Sequence, residues 1–289
     1  MERYYTSPVS SIAPEDFDLL VELAVLEDCP DHDITSESIF PPEKTGSAIL
    51  ITREEGIFCG SAVVESLLRK FPGSFTYEIH KSEGSIMMQG EKLLSLSGSL
   101  NVILRVERPL LNFLQYLSGI ATTAWKLARE YPRLMILDTR KTLPGYRKLA
   151  KYAVFTGGGA NHRISLSDMG LIKDNHVALC GSIQTAVRKI RDRFPDRKVE
   201  LEIDGLHQLE DAILSEPDII LLDNFSIDDT EKAVQEIRRK NNKIRIECSG
   251  GITPEKLEAL SRFGDIGVSM GYLTHTTRFL DLSLEIQGG

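Results

Sequence analysis

From Arg133 to Met270 the sequence keeps one grammar: a short apolar run, a polar cluster, then a stretch of helix length. The runs Leu134–Asp138, Gly170–Lys173, Val199–Ile203, Asp218–Asp223, Ile244–Cys248 and Ile266–Met270 have the length and composition of strands. Helices are predicted near Gly145–Val154, Ser182–Arg193, Leu206–Leu214, Ile227–Lys240 and Pro254–Arg262. Thr253-Pro254 suits the start of the last one, hydroxyl as cap and proline at the first position. Repeated βα units imply parallel strands. Charged and polar residues follow every strand, among them Arg140-Lys141, Lys173-Asp174, Asp223-Asn224 and Ser249-Gly250-Gly251. An open doubly wound sheet gathers ligand groups at one switch point, whereas a barrel gathers them at the carboxyl end of every strand. Six strands fall short of eight, so an incomplete α/β barrel is expected.

The amino-terminal part reads differently. A helix is predicted over Pro14–Leu26, then a polar turn (Asp28, Asp31, His32, Asp33), where Asx turns are a simpler reading than metal binding. Strands are predicted at Gly46–Thr52, Thr76–His80 and Lys92–Ser99, with a helix at Gly60–Arg69. Leu100–Tyr131 carries two apolar periodic segments joined at Ser118–Gly119, and Arg108 precedes Pro109 as if at a helix start. The expected division is a small α/β sandwich domain over 1–112, with 276–289 a candidate to join it, and a barrel over 113–275.

The chain has 289 residues, 34 Lys+Arg and 42 Asp+Glu, a net charge of -8. Residues 138–176 run against that balance with seven Lys/Arg and three acids. Cations beside glycines suit an anionic ligand. Arg147, Lys148 and Lys151 read as helix surface; Arg140, Lys141, Arg163 and Lys173 adjoin strand ends or glycines. The acidic total argues against duplex nucleic acid as a partner. No apolar run reaches 18 residues and the first residues are polar, so neither a membrane span nor a secretion signal is expected. Four scattered cysteines match no zinc or disulfide pattern, which suits free thiols in the cytoplasm.

Strand alternation places Glu200 and Glu202 on one face and Leu201 and Ile203 on the other. Glu202 with Asp223 on the next strand could hold a divalent ion, and oxygen ligands suit Mg²⁺; pairing with interior cations is the plain alternative. Glycine turns at Ser249-Gly250-Gly251 and at Gly271 could cradle a phosphate. The Gly157-Gly158-Gly159 run before Asn161-His162-Arg163 suggests a closely approached ligand. No Ser-His-Asp set and no GxGxxG after a strand is present. Such a site suits electrostatic rather than covalent catalysis.

Eight segments together carry a resemblance: ERPLLNFLQYLSGIAT (107–122), DTRKTLPG (138–145), GGGANHR (157–163), LIKDNH (171–176), LEI (201–203), LLDN (221–224), SGGI (249–252) and GYLTH (271–275). The chain resembles the nicotinate-nucleotide pyrophosphorylases (carboxylating), or quinolinate phosphoribosyltransferases. The resemblance implies transfer of the phosphoribosyl group of phosphoribosyl pyrophosphate to quinolinate, with loss of CO2, in NAD synthesis. It implies Mg²⁺ and a homodimer or hexamer with shared sites, Arg108 reaching into the neighbour's. Arg140, His162, Arg163 and Lys173 match residues around quinolinate's carboxylates, and Lys141 one near the reacting centre. Glu202 and Asp223 match acids near the ribose and metal; Ser249, Gly250, Gly251 and Gly271 match the 5'-phosphate cradle, with His275 beside it. Cys248 stands where a small alanine is usual, and Tyr272 where smaller residues are common. The rival readings are a phosphoribosyltransferase for another aromatic acid such as nicotinate, a molybdenum-transport-associated paralogue, and a silent binding protein on the same barrel.

Overall fold

A computed structural model describes residues 6–287. The elements in chain order are α1 (Asp18–Asp28), α2 (Ile34–Ile39), β1 (Thr45–Thr52), β2 (Gly56–Ile57), α3 (Ser61–Arg69), β3 (Phe75–Ile79), β4 (Ile86–Met87), β5 (Lys92–Ser99) and α4 (Leu100–Glu130). They continue with β6 (Leu134–Leu137), α5 (Arg147–Thr156), β7 (Gly170–Ile172), α6 (Asp174–Cys180), α7 (Ile183–Arg193), β8 (Val199–Ile203), α8 (Leu209–Leu214) and β9 (Ile219–Asp223). The chain ends with α9 (Ile227–Lys240), β10 (Arg245–Ser249), α10 (Pro254–Ser261), β11 (Ile266–Ser269), α11 (Tyr272–His275) and β12 (Leu282–Gln287). No helix among the described residues is long and apolar enough to cross a membrane.

Residues 9–125, 143–158 and 276–287 form one compact unit. Its sheet runs β12-β1-β5-β3, all antiparallel, and β12 brings the end of the chain back onto β1 with Leu284 opposite Leu50. The expected first helix is a 3-10 turn at Pro14–Asp16 followed by α1. The polar turn after it caps α2: Asp33 accepts the Ser36 N–H at 2.9 Å, and His32 Nδ1 lies 2.9 Å from Glu37.

Helix α4 corrects two expectations. Pro109 does not open a helix but sits inside one of 31 residues. A mid-helix proline forfeits a hydrogen bond and crowds the preceding turn. Burial of Ile103, Val106, Leu110, Leu114, Leu117, Ala121 and Ala124 at helical spacing outweighs that cost. Residue 112, the boundary expected from sequence, therefore lies within a continuous helix. Ser118–Gly119 is no joint either. The Ser118 hydroxyl accepts the Cys59 N–H at 3.1 Å, and a Cβ on Gly119 would lie 2.2 Å from the Arg278 carbonyl oxygen. Small residues there admit close neighbours rather than bend the helix.

Two more readings change in this unit. Lys151 is fully buried rather than on a helix surface, while Arg147 and Lys148 are half-buried, Lys148 pairing with Asp16 at 2.7 Å. Gly157 makes room for the chain itself, since its Cβ would fall 2.1 Å from the Ala121 carbonyl oxygen.

Residues 6–8, 126–142 and 159–275 form the second unit. Its six strands run parallel in the order β6-β11-β10-β9-β8-β7. They are the six expected strands and fall short of a closed eight-stranded ring. Strands covered on both faces must be apolar on both faces. In β9, Ile219, Ile220, Leu221 and Leu222 are all buried; in β8, Val199, Leu201 and Ile203 fill one face and leave the other to Glu200 and Glu202. The free side of β6 carries one further segment. Ala160 bridges Leu137 in parallel, its N–H reaching the Ile136 carbonyl at 2.8 Å and its carbonyl accepting the Asp138 N–H at 3.1 Å. That segment delivers Asn161, His162 and Arg163 beside the end of β6.

Candidate active site

The carboxyl ends of the strands hold most of the residues singled out above. After β6, Arg140 is half-buried; its guanidinium makes no hydrogen bond or ion pair with the described residues, and its Nε is buried without a partner. Arg163, 7% exposed, donates from Nη1 to the Met169 carbonyl at 3.2 Å. Burial, and next the charge of Arg140, press the Arg163 guanidinium below its ordinary range. Two neighbouring guanidiniums repel one another; Glu200 and Asp168 offset part of the Arg163 charge, whereas Arg140 pairs with no acid among the described residues. Such a pair is completed by an anion, and planar forks suit carboxylates.

Buried anchors fix this pair. Asp138 is 0% exposed and accepts Asn161 Nδ2 at 2.6 Å and the His162 N–H at 2.9 Å. Asp168 takes the N–H groups of Ile164 at 2.6 Å and Ser165 at 3.1 Å, closing the turn after Arg163. Neither was singled out from sequence. Their signal is an acid at a strand end and an Asx-type turn, both common features that do not announce a site.

His162 lies deeper, 7% exposed. Its Nδ1 accepts the Arg163 N–H at 2.8 Å; its Nε2 lies 3.0 Å from Glu200 Oε2 and 3.6 Å from Glu247 Oε1. Glu200 therefore takes the plainer role weighed for it, an interior partner of a basic residue. Glu247 was not foreseen. It sits in β10 on the interior face, 0% exposed, and burial together with the charge of Glu200 pushes its carboxyl well above the usual range.

Lys173 ends β7 and caps α6, and its ammonium directly contacts Glu202 Oε2. The ion pair is the alternative weighed for these acids, now found at Glu202. Asp223 ends β9, half-buried, and accepts the Asn224 side-chain amide at 2.8 Å. Glu202 is paired with Leu221 in register, so Asp223, two residues on, shares its face. Asn224, in the left-handed region at φ 56, was read only as part of the strand end. It also shapes the next turn, because a Cβ on Gly250 would lie 2.3 Å from its Oδ1.

The glycine turns follow. Gly250 and Gly251 after β10 have φ of 87 and 54, which glycine adopts without strain, and Ser249 beside them is half-buried. After β11, a Cβ on Gly271 would lie 2.6 Å from the His275 ring and 3.1 Å from Lys141 Cδ. Thr274 donates to the Lys141 carbonyl at 2.7 Å, so the turn bearing Lys141 is tied to that bearing Gly271 and His275. The Lys141 side chain is exposed, and its ammonium makes no hydrogen bond or ion pair with the described residues. Arg108 is exposed on α4, in the other unit.

The chain can be placed among known proteins on this basis. The family model for the quinolinate phosphoribosyl transferase C-terminal domain matches residues 120–285, and that for the N-terminal domain residues 33–118. A nicotinate-nucleotide pyrophosphorylase (carboxylating) of Mycobacterium leprae is 38% identical over 258 residues, 88% of this chain and 91% of that one. A probable one of Bacillus subtilis is 40% identical over 264 residues, 90% of each. The solved nicotinate-nucleotide pyrophosphorylase of Francisella tularensis superposes with a TM-score of 0.91 at 35% identity, covering 98% of this chain and 100% of that one. The human nicotinic acid phosphoribosyltransferase, 16% identical with a TM-score of 0.60, shares the fold alone. This chain belongs to the quinolinate phosphoribosyltransferase family.

Proposed function

We propose that the protein transfers the phosphoribosyl group of phosphoribosyl pyrophosphate to the ring nitrogen of quinolinate and releases pyrophosphate and CO2, leaving nicotinate mononucleotide for NAD synthesis. The observation that carries this reading is the adjacent Arg140 and Arg163, with a buried Arg140 Nε that no described residue satisfies. Lys173 adds a third cation, so the grip suits a dianion better than a monocarboxylate such as nicotinate.

Each remaining group has a physical task. The positive-φ turn at Gly250 and Gly251, with Ser249, and the crowded turn at Gly271 bring backbone N–H groups close to the 5'-phosphate. His275 stands beside that phosphate. Glu202 and Asp223 present acceptors to the ribose hydroxyls. Their negative charge also favours the oxocarbenium-like C1' that forms as pyrophosphate departs. Lys141 neutralises charge near the reacting centre. After the ring nitrogen becomes quaternary, the adjacent carboxylate leaves as CO2, because the positive nitrogen stabilises the carbanion left behind.

Two carboxylates at neighbouring strand ends form a hard oxygen donor set that fits Mg²⁺ bound together with pyrophosphate oxygens. Asp223 would hold it, with Glu202 sharing once Lys173 lets go. Such an ion would offset charge on the departing pyrophosphate. The exposed Arg108 suits a homodimer or an assembly of dimers, in which it completes the site of a neighbouring copy.

The deciding assay measures CO2 and pyrophosphate released from quinolinate, phosphoribosyl pyrophosphate and Mg²⁺, with nicotinate as the comparison. Turnover with quinolinate is expected. Turnover with nicotinate alone overturns the reading.

A further inference from the structure

The His162–Glu200–Glu247 cluster is assembled from the segment beside β6, from β8 and from β10. Its three groups can each offer an atom within 4.8 Å of the others, as if for a metal ion. The hydrogen bonding of the ring argues otherwise. A nitrogen that accepts a backbone N–H carries no hydrogen, and Nδ1 accepts the Arg163 N–H at 2.8 Å. The ring proton therefore sits on Nε2, facing Glu200 Oε2 at 3.0 Å and Glu247 Oε1 at 3.6 Å. The ring is then neutral. Neither nitrogen then has a lone pair to give a metal.

Buried acids surround the ring. All four carboxylate oxygens of Glu200 and Glu247 are buried without an aligned hydrogen-bond donor. Two facing carboxylates lie in a dry interior here. The other groups facing the cluster are Asp138, which accepts the His162 N–H; the Arg163 guanidinium, which feels the Glu200 charge; Ser269 on β11, beside Glu247; and the Cys248 thiol.

We propose that His162 is a positioning residue: as a neutral Nε2–H imidazole held over Glu200 and Glu247, it fixes the Arg163 backbone through Nδ1 and leaves the substrate carboxylate to the arginines. The proposal rests on the reading above, that Arg163 grips quinolinate.

The first test is a spectrum of the full-length protein labelled with ¹⁵N-histidine, taken near neutral pH with and without quinolinate. His162, the buried ring whose Nε2–H exchanges slowly, is expected to show Nδ1 bare and Nε2 protonated in both. An imidazolium, or a proton on Nδ1, overturns the proposal, and the second of these would revive a metal site. The second test is kinetic. The His162→Asn amide oxygen can stand near Nδ1 and keep the Arg163 N–H, so the KM for quinolinate should stay within about threefold of wild type. His162→Gln reaches the Nε2 position but leaves that N–H unpaired, and should raise this KM by about tenfold or more with a smaller change in kcat. Equal losses in both variants point to direct contact with substrate and overturn the proposal. If neither variant folds, the wild-type spectrum decides alone. Absence of quinolinate turnover in the wild-type enzyme would strike the functional reading and leave the tautomer to be judged by the spectrum.

Discussion

Asn161 donates its side-chain amide to Asp138 at 2.6 Å, and neither residue is exposed to solvent. The same carboxylate accepts the His162 N–H at 2.9 Å. One buried acid at the end of β6 thus sets the course of the segment that carries Arg163.

Asp138→Asn tests this dependence. An amide offers one acceptor where the carboxylate offers two, so a buried donor loses its partner at a cost of about 1–3 kcal/mol. The melting temperature should fall by several degrees, and the KM for quinolinate should rise more than that for phosphoribosyl pyrophosphate. Equal changes in both would mean that Asp138 supports the unit as a whole rather than the arginine pair.

Gly271→Ala should damage turnover more than folding. The new methyl would lie 2.6 Å from the His275 ring and 3.1 Å from Lys141 Cδ, and both are ends or stems of side chains that can move. Displacing Lys141 by about an ångström can cost on the order of a hundredfold in rate. A kcat loss approaching that size with a nearly unchanged melting temperature is expected. Lys141→Met should reproduce the kcat loss while leaving the KM for quinolinate close to wild type. Unchanged kcat in both variants would remove Lys141 from the chemistry.

Much of this arrangement could be read from the chain before any coordinates. The six strands were legible because each is a short apolar run bounded by polar residues, and the polar ends were legible because barrels place ligands there. Pairwise geometry was not. Glu202 and Lys173 were assigned to separate tasks, and only the adjacency of β7 and β8 shows them in contact. Lys151 read as surface because its neighbours Arg147 and Lys148 are charged, yet its helix buries that face. Glu247 was overlooked, although an acid between Ile246 and Cys248 in an apolar strand is itself a signal. Its partners lie 47 and 85 positions away, beyond the reach of any local pattern. Pro109 misled because local propensity stops helices at proline, whereas the buried stripe of α4 continues past it.

Lys173→Met separates the two roles of the lysine. Its ion pair with Glu202 is partly solvated, with the lysine side chain 45% exposed, so its loss should cost less than about 1 kcal/mol of stability. The KM for quinolinate, by contrast, should rise by about tenfold, because a cation in the carboxylate grip is gone. Substrate titrations alongside melting curves check both. A large fall in melting temperature with unchanged KM would make the lysine a structural partner of Glu202 only.

The pH dependence of stability should carry the mark of Glu247. Burial first, then the charge of Glu200, pushes its carboxyl from an ordinary 4.5 to about 8. Between those values the folded protein keeps a proton that the unfolded chain has released. Stability therefore falls as pH rises through that window and levels off above it. The contribution is fully present below about pH 4.5 and lost by the time the folded group ionises. Glu247→Gln has no proton to lose and keeps the shape of the neutral acid. Its melting temperature should match wild type near pH 5 and exceed it by a growing margin towards pH 8. Melting curves for both proteins across pH 5 to 9 provide the measurement, and parallel curves throughout would show that Glu247 does not hold the proton.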